Sequence, residues 1–269
     1  MGNASRLPSR SPSESAGQGA ARPSIRLLAV GDTAWTVEFG AAIDPAIHGR
    51  VLGFCSLLGT LSGDGRLRGV IEWVPTFRSV TVHFDPAQCD AMALRDLLHD
   101  VAGKSGILSA AGCRWHIPVC FEGEFAPDLA DVAAARGMAP DEVVRVMTAT
   151  VFSVYMLGFL PGFPYLGAVP EALEMPRLAS PRKVVPARSI AIAGRMCAAY
   201  PWESPGGWRL LGRTPVRLFD AANARRPALL APGDEVVWEA IDATTYAELE
   251  RECAAGRFDL TRLMREGGQ

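Results

Sequence analysis

Eleven of the twenty prolines in this 269-residue chain fall between residues 158 and 234, interleaved with glycines. That spacing forbids a long helix there, because each proline removes a backbone donor and clashes with the preceding turn, and it forbids a long central strand for the same lack of a donor. Short strands joined by fixed turns remain. "FSVYML", "SIAIAG", "PVRLF" and "EVVWEAI" are runs of that kind, as is "RWHIPVCF" upstream, so residues 110–269 read as a compact β-barrel or sandwich with long loops. Helices are expected over 129–136, stopped by Gly137, and over 141–147 behind Pro140, with an amphipathic segment at 246–253.

Residues 25–109 have a different grammar. "IRLLAV" and "AWTVEF" flank the turn pair Gly31-Asp32, a hairpin signal. Asp44 and Pro45 suit the cap and first turn of a helix carrying Ile47, Val51, Leu58 and Leu61; two strands follow in "GVIEWVPTFRSVTVHFD", then a second helix over 91–101. This mixture predicts a small α+β domain. Its histidines, His48, His83 and His99, read as surface residues. Residues 1–24, rich in Ser, Pro, Gly and Arg with a single leucine, read as a disordered tail without the apolar core of a secretory signal.

With 49% apolar residues the chain can bury a large core, and its formal net charge of -2 gives no electrostatic reason to expect nucleic acid or an anionic membrane as partner. No apolar run reaches the length of a membrane span. The six cysteines are scattered, with no C-x-x-C pair and no histidine at metal-ligand spacing, which points to reduced thiols in the cytoplasm and no metal centre.

Charge locates a candidate ligand site. Between Arg177 and Arg217 stand eight basic residues (Arg177, Arg182, Lys183, Arg188, Arg195, Arg209, Arg213, Arg217) against Glu203 alone, a local +7 that leaves the rest of the chain at -9. Guanidinium forks match carboxylate oxygens, so a small anionic substrate is expected there. Beside them lies "GFLPGFPYLG", whose prolines fix a loop and whose Phe159, Phe163 and Tyr165 offer contact surface, with Pro161 and Gly162 at its turn. The run "SPGGWRLLGRTP" nearly spells a phosphate-binding loop through Gly207, Gly212, Arg213 and Thr214. Its context is wrong, because residues 208–211 and 215–218 alternate like strands instead of opening a helix. Nor does a Ser-His-Asp hydrolase fit: Ser204 is in no nucleophile elbow, and no histidine follows His116.

Taken together, "VYMLGFLPGFPYLG", "PRKVVPARSIAIAG", "YPWESPGGWRLLGRTPVRLFD" and "LLAPGDEV" resemble the KipI/PxpB family, also called allophanate hydrolase subunit 1-like proteins, over essentially residues 25–245. The resemblance implies a small α+β domain followed by a cyclophilin-like β-barrel. It also implies a subunit of an ATP-dependent 5-oxoprolinase, which opens the lactam of 5-oxo-L-proline to L-glutamate. Its implied partners are a KipA/PxpC-type sister subunit and a PxpA-type subunit. Related domains serve biotin-dependent urea-type carboxylases, and one relative is a kinase inhibitor, so a carboxyltransferase component and a non-catalytic regulatory module stand as alternatives. On this reading Arg209 and Arg213 are the candidate catalytic residues, stabilising oxyanion charge, while Phe159, Pro161, Gly162, Phe163, Tyr165, Arg182, Ser204, Gly206, Gly207 and Trp208 bind substrate. The chain departs from the family pattern at Met147, where histidine is usual, at Arg188, where glycine is usual, and at Met196, Cys197 and Ala198, where Gln-Thr-Gly is usual.

Overall fold

A computed structural model describes residues 25–108, 112–167 and 169–265. The expected disordered tail at 1–24 lies outside them.

Two sheets with separate hydrophobic cores form the molecule. The first is antiparallel throughout, in the order β1 (Arg26–Val30), β2 (Ala34–Glu38), β4 (Ser79–Phe84), β3 (Val70–Pro75). Alternation along β4 buries Val80, Val82 and Phe84, and the two helices α1 (Pro45–Gly63) and α2 (Ala91–Lys104) cover that face with Phe54, Leu58, Leu94 and Leu98. The first helix begins at the cap read from the sequence, and the second begins behind an aspartate in the same role. Asp44 accepts from the Ala46 and Ile47 amides at 2.8 and 3.1 Å, and Asp90 from Met92 and Ala93 at 2.9 and 3.1 Å.

The second sheet closes on itself. Around the barrel run β5 (Arg114–Cys120), β12 (Arg209–Arg213), β9 (Ser189–Ala193), β10 (Met196–Ala199), β7 (Pro164–Gly167), β6 (Phe152–Leu157) and β13 (Glu235–Ile241), and β13 returns to β5 as a parallel pair in register from Arg114↔Glu235 to Cys120↔Ile241. A short β14 (Met264–Arg265) adds to β5. The helices α3 (Leu129–Arg136) and α4 (Pro140–Ala149) contribute Val132, Val143 and Met147 to the barrel core, and α5 (Ala243–Ala254) packs on β5. Outside the barrel, β8 (Arg182–Val185) pairs with β11 (Ser204–Gly206) as a separate two-stranded flap.

Closure hangs on a single register pair, Arg213↔Cys120, and on a glycine. A Cβ on Gly212 would lie 2.6 Å from Val119 Cγ1 and 3.0 Å from the Cys120 carbonyl. The glycine that reads as part of a phosphate loop is there so that two strands can meet, and the ladder shifts register beside it.

Two sequence expectations are corrected. Residues 215–219 form no strand, only a single bridge from Phe219 to Ala228, although Val216 and Leu218 are buried in the barrel core. Their alternation reported burial alone, since β12 already pairs with β5 and β9 and leaves no free edge beside it. His48, read as a surface residue, is buried between the two sheets. Its Nε2 lies 2.9 Å from the Tyr155 carbonyl and its ring is 4.4 Å from the Tyr155 ring. Phe77, in the β3–β4 turn, continues this contact to Tyr155 and Tyr165 at 5.7 and 5.8 Å.

Candidate functional site

On the outer face of β7, β9, β10 and β12, small side chains leave a floor. Ala191, Ala193 and Ala198 point outward together, and large rings lie over them. Phe163 is the hub: its ring is 5.1 Å from Tyr165, 5.0 Å from Tyr200, 6.4 Å from Trp208 and 5.5 Å from Phe159, mostly edge to face. Phe163, Tyr200 and Trp208 are buried, whereas Phe159 is 65% exposed at the rim.

The loop 158–163 owes its shape to local bonds. The Gly158 amide donates to the Phe163 carbonyl at 3.0 Å, and the Phe163 amide turns back to the Leu160 carbonyl. Phe159 and Gly162 both hold positive φ, 72° and 74°. Glycine is required at the second, because a Cβ there would sit 2.7 Å from Phe219 Cβ. The Pro161 carbonyl accepts from Trp202 Nε1 at 3.2 Å, tying the loop to the segment before β11.

Cations frame one side. The Arg177 guanidinium lies over Trp208, 5.8 Å from the ring centroid. Arg182 pairs with buried Asp128 at 2.5 Å and donates to the Trp208 carbonyl at 3.5 Å, while the other Asp128 oxygen accepts from the Leu210 amide at 2.6 Å. Arg182 therefore pins the flap and strand β12 more than it faces solvent. The Tyr165 and Tyr200 hydroxyls bond to no described residue. Burial pushes both phenols up, opposed at each by the Arg177 charge, so near neutrality they remain protonated donors.

The two arginines singled out in the sequence part company. They stand at opposite ends of β12, about 13 Å apart along the strand. Arg209 reaches the Pro176 carbonyl at 3.5 Å, next to Arg177 and hence beside the aromatic floor. Arg213 stacks on Phe125, 5.3 Å from its centroid, near α5. Ser204 is buried at the flap with no hydrogen-bond partner among the described residues for its Oγ, and Gly206 and Gly207 connect the flap to Trp208. Arg188, at φ 68°, is held by Glu250 at 2.6 Å and the Pro215 carbonyl at 3.0 Å, which anchors β9 to α5 and offsets its left-handed backbone. The eight cations thus do not converge on one mouth. Arg177 and Tyr200 are the site residues that sequence reasoning did not single out; Arg177 was visible only as part of the charge count, and Tyr200 only as the first residue of "YPWESPGG".

The whole arrangement, an alanine-floored outer barrel face under rings and a flap, sits in a chain with relatives of known sequence and structure. Residues 25–230 match the family of the carboxyltransferase domain, subdomain C and D. This chain belongs to that family. Within it, the chain is 34% identical over 237 residues to the 5-oxoprolinase B subunit of Bacillus subtilis, spanning 83% of this chain and 95% of that protein. Its identity to the 5-oxoprolinase B subunit of Escherichia coli O157:H7 is 36% over 211 residues, 78% of this chain and 94% of that one. The solved structure of TTHA0988 superposes with a TM-score of 0.68 at 32% identity, covering 78% of this chain and 40% of its own longer one. In this carboxyltransferase-family barrel, Met147 at the position of the usual histidine is fully buried in the barrel core, Cys197 points inward, and Ala198 belongs to the outer floor. Burial pushes the Cys197 thiol up to about 12, so it stays protonated.

Proposed function

We propose that this chain is a subunit of a 5-oxoprolinase complex, with the aromatic floor as its share of the substrate site. The observation that carries the reading is the match to the 5-oxoprolinase B subunit along nearly the full length of the Bacillus subtilis protein. The geometry supports it. A five-membered lactam offers two flat faces, a carboxylate and an amide carbonyl. The partly exposed Tyr165 ring, backed by buried Phe163 and Trp208, supplies a stacking surface, Arg177 supplies the carboxylate partner, and the Tyr165 and Tyr200 hydroxyls supply donors for a carbonyl oxygen that gains negative charge when the amide is attacked. Arg209 holds the segment that carries Arg177.

Written in balance, one water adds across the lactam C–N bond, giving a carboxylate and an ammonium group, while a second water is consumed as one ATP is cleaved to ADP and phosphate. The run from Gly207 to Thr214 lies largely in β12, where its amides serve the sheet ladder, so it does not fit a phosphate cradle. Catalysis and ATP use are therefore assigned to the assembled enzyme with a KipA/PxpC-type sister subunit and a PxpA-type subunit. Exposed Phe159, Trp202 and Val184 lie on or beside the loop and flap and suit a subunit contact. Mixing this protein with those subunits, ATP and 5-oxo-L-proline should release glutamate. No release, under conditions where the subunits of a working relative turn over, would remove the proposal.

A further inference from the structure

A cavity of about 360 Å³ opens between the loop 217–229 and the segment after α5; none of the four floor rings lines it, although its Phe219 lies 6.0 Å from Trp202, ring to ring. Its floor is apolar: Trp115 and Leu229 are buried, and Phe258 closes a side. Its rim is charged, with Arg217, Arg226 and Asp220, which sum to +1. Arg217 makes no hydrogen bond or ion pair with any described residue. Arg226 lies over Trp115, 4.9 Å from the ring, and reaches Asp234 Oδ2 only at 3.5 Å. That oxygen already accepts from Trp115 Nε1 and the Ala231 amide, each at 2.9 Å, so most of the Arg226 donors remain unused. Asp220 spends one oxygen on the Ala222 amide.

From this amphipathic layout we infer that the cavity is a binding site for a compact organic monocarboxylate with an apolar body, distinct from the aromatic floor. The apolar end descends toward Trp115 and Leu229, and the carboxylate meets the two guanidinium groups at the rim, where the fork geometry of arginine matches both oxygens. A single excess positive charge favours one carboxylate over a polyphosphate, whose further charges Asp220 would repel. A volume of this size also lies at the small-ligand end of the usual range for binding pockets.

Isothermal titration of the full chain with phenylacetate and with its uncharged analogue phenylacetamide tests the inference without any partner subunit, so it fails or succeeds independently of the 5-oxoprolinase reading. Phenylacetate is expected to bind with a Kd on the order of 1 mM or tighter, and the amide at least about tenfold more weakly. Arg217→Gln, which removes a side chain with no internal partner, should weaken phenylacetate about tenfold and leave the thermal midpoint unchanged. Arg226→Gln should weaken phenylacetate by a similar factor while also lowering the thermal midpoint, because its contacts to Trp115 and Asp234 are lost, and Arg209→Gln, on the aromatic floor, should leave phenylacetate binding unchanged. Equal affinity for acid and amide, no heat for phenylacetate up to about 10 mM, or loss of binding in Arg209→Gln but not in Arg217→Gln would each overturn it.

Discussion

Strands β7, β9, β10 and β12 present two buried faces, and the two are built to opposite ends. Inward, Leu166, Ile190, Ile192, Cys197 and Leu211 meet Phe152 and Trp238 in a closed apolar core. Outward, the alternate positions carry Tyr165 and three alanines beneath Tyr200, Phe163 and Trp208, with unbonded hydroxyls and a guanidinium at the edge. The inner face spends its volume on packing. The outer face keeps its residues small where the rings lie and leaves the Tyr165 and Tyr200 hydroxyls unbonded to any described residue. Burial alone does not separate the two faces; side-chain size does, with alanines beneath the outer rings and branched residues in the core.

Truncation should break the inner face first. Leu211→Ala removes a fully buried side chain and is expected to cost about 2–5 kcal/mol in denaturant unfolding; a loss below about 1 kcal/mol would mean that the interior is not close-packed. On the outer face the effects should invert. Tyr200→Phe should change stability by less than about 1 kcal/mol yet lower glutamate release by the reconstituted complex about tenfold or more, and unchanged turnover would take this hydroxyl out of the chemistry.

A smaller effect belongs to the contact between the sheets. Burial lowers the His48 pKa below 6.5, with the Tyr155 carbonyl opposing, so the unfolded chain binds the proton more readily than the folded one. Its contribution to stability is complete above pH 6.5 and declines as pH falls below that value, and His48→Gln should flatten this part of the stability–pH curve. Equal slopes in the two proteins would exclude His48 as the titrating group. The least perturbing test is alkylation of the native protein: exposed Cys113 should be labelled first, and Cys55 and Cys197, whose thiols burial pushes up to about 12, only on unfolding. Early labelling of Cys197 would mean that the barrel opens.

Much of the fold was legible. The cap at Asp44, the stop at Gly137 with φ 67°, and the strands at 152–157, 189–193 and 235–241 follow from local chemistry, and the proline-rich half is a barrel, one of the two architectures its punctuation allows. The loop around Phe163 was legible too, because its rings and turn residues are contiguous. The cations were not. A local sum of +7 says that arginines are near one another in sequence, but Arg182 is neutralised by Asp128 and Arg188 by Glu250, acids 54 and 62 positions away. His48 was misread for the same reason, since the carbonyl that buries it lies 107 residues downstream.

The sequence by itself determined where strands, turns and helix caps fall, and which loop is rigid and aromatic, because those properties depend on neighbours within a few bonds. The tertiary structure decided which face of each strand is floor and which is core, which guanidinium reaches the rings, and why Gly212 must lack a side chain. Those outcomes are set when β12 closes on β5, a contact between Arg213 and Cys120, far apart in the chain, whose geometry no short stretch of sequence encodes.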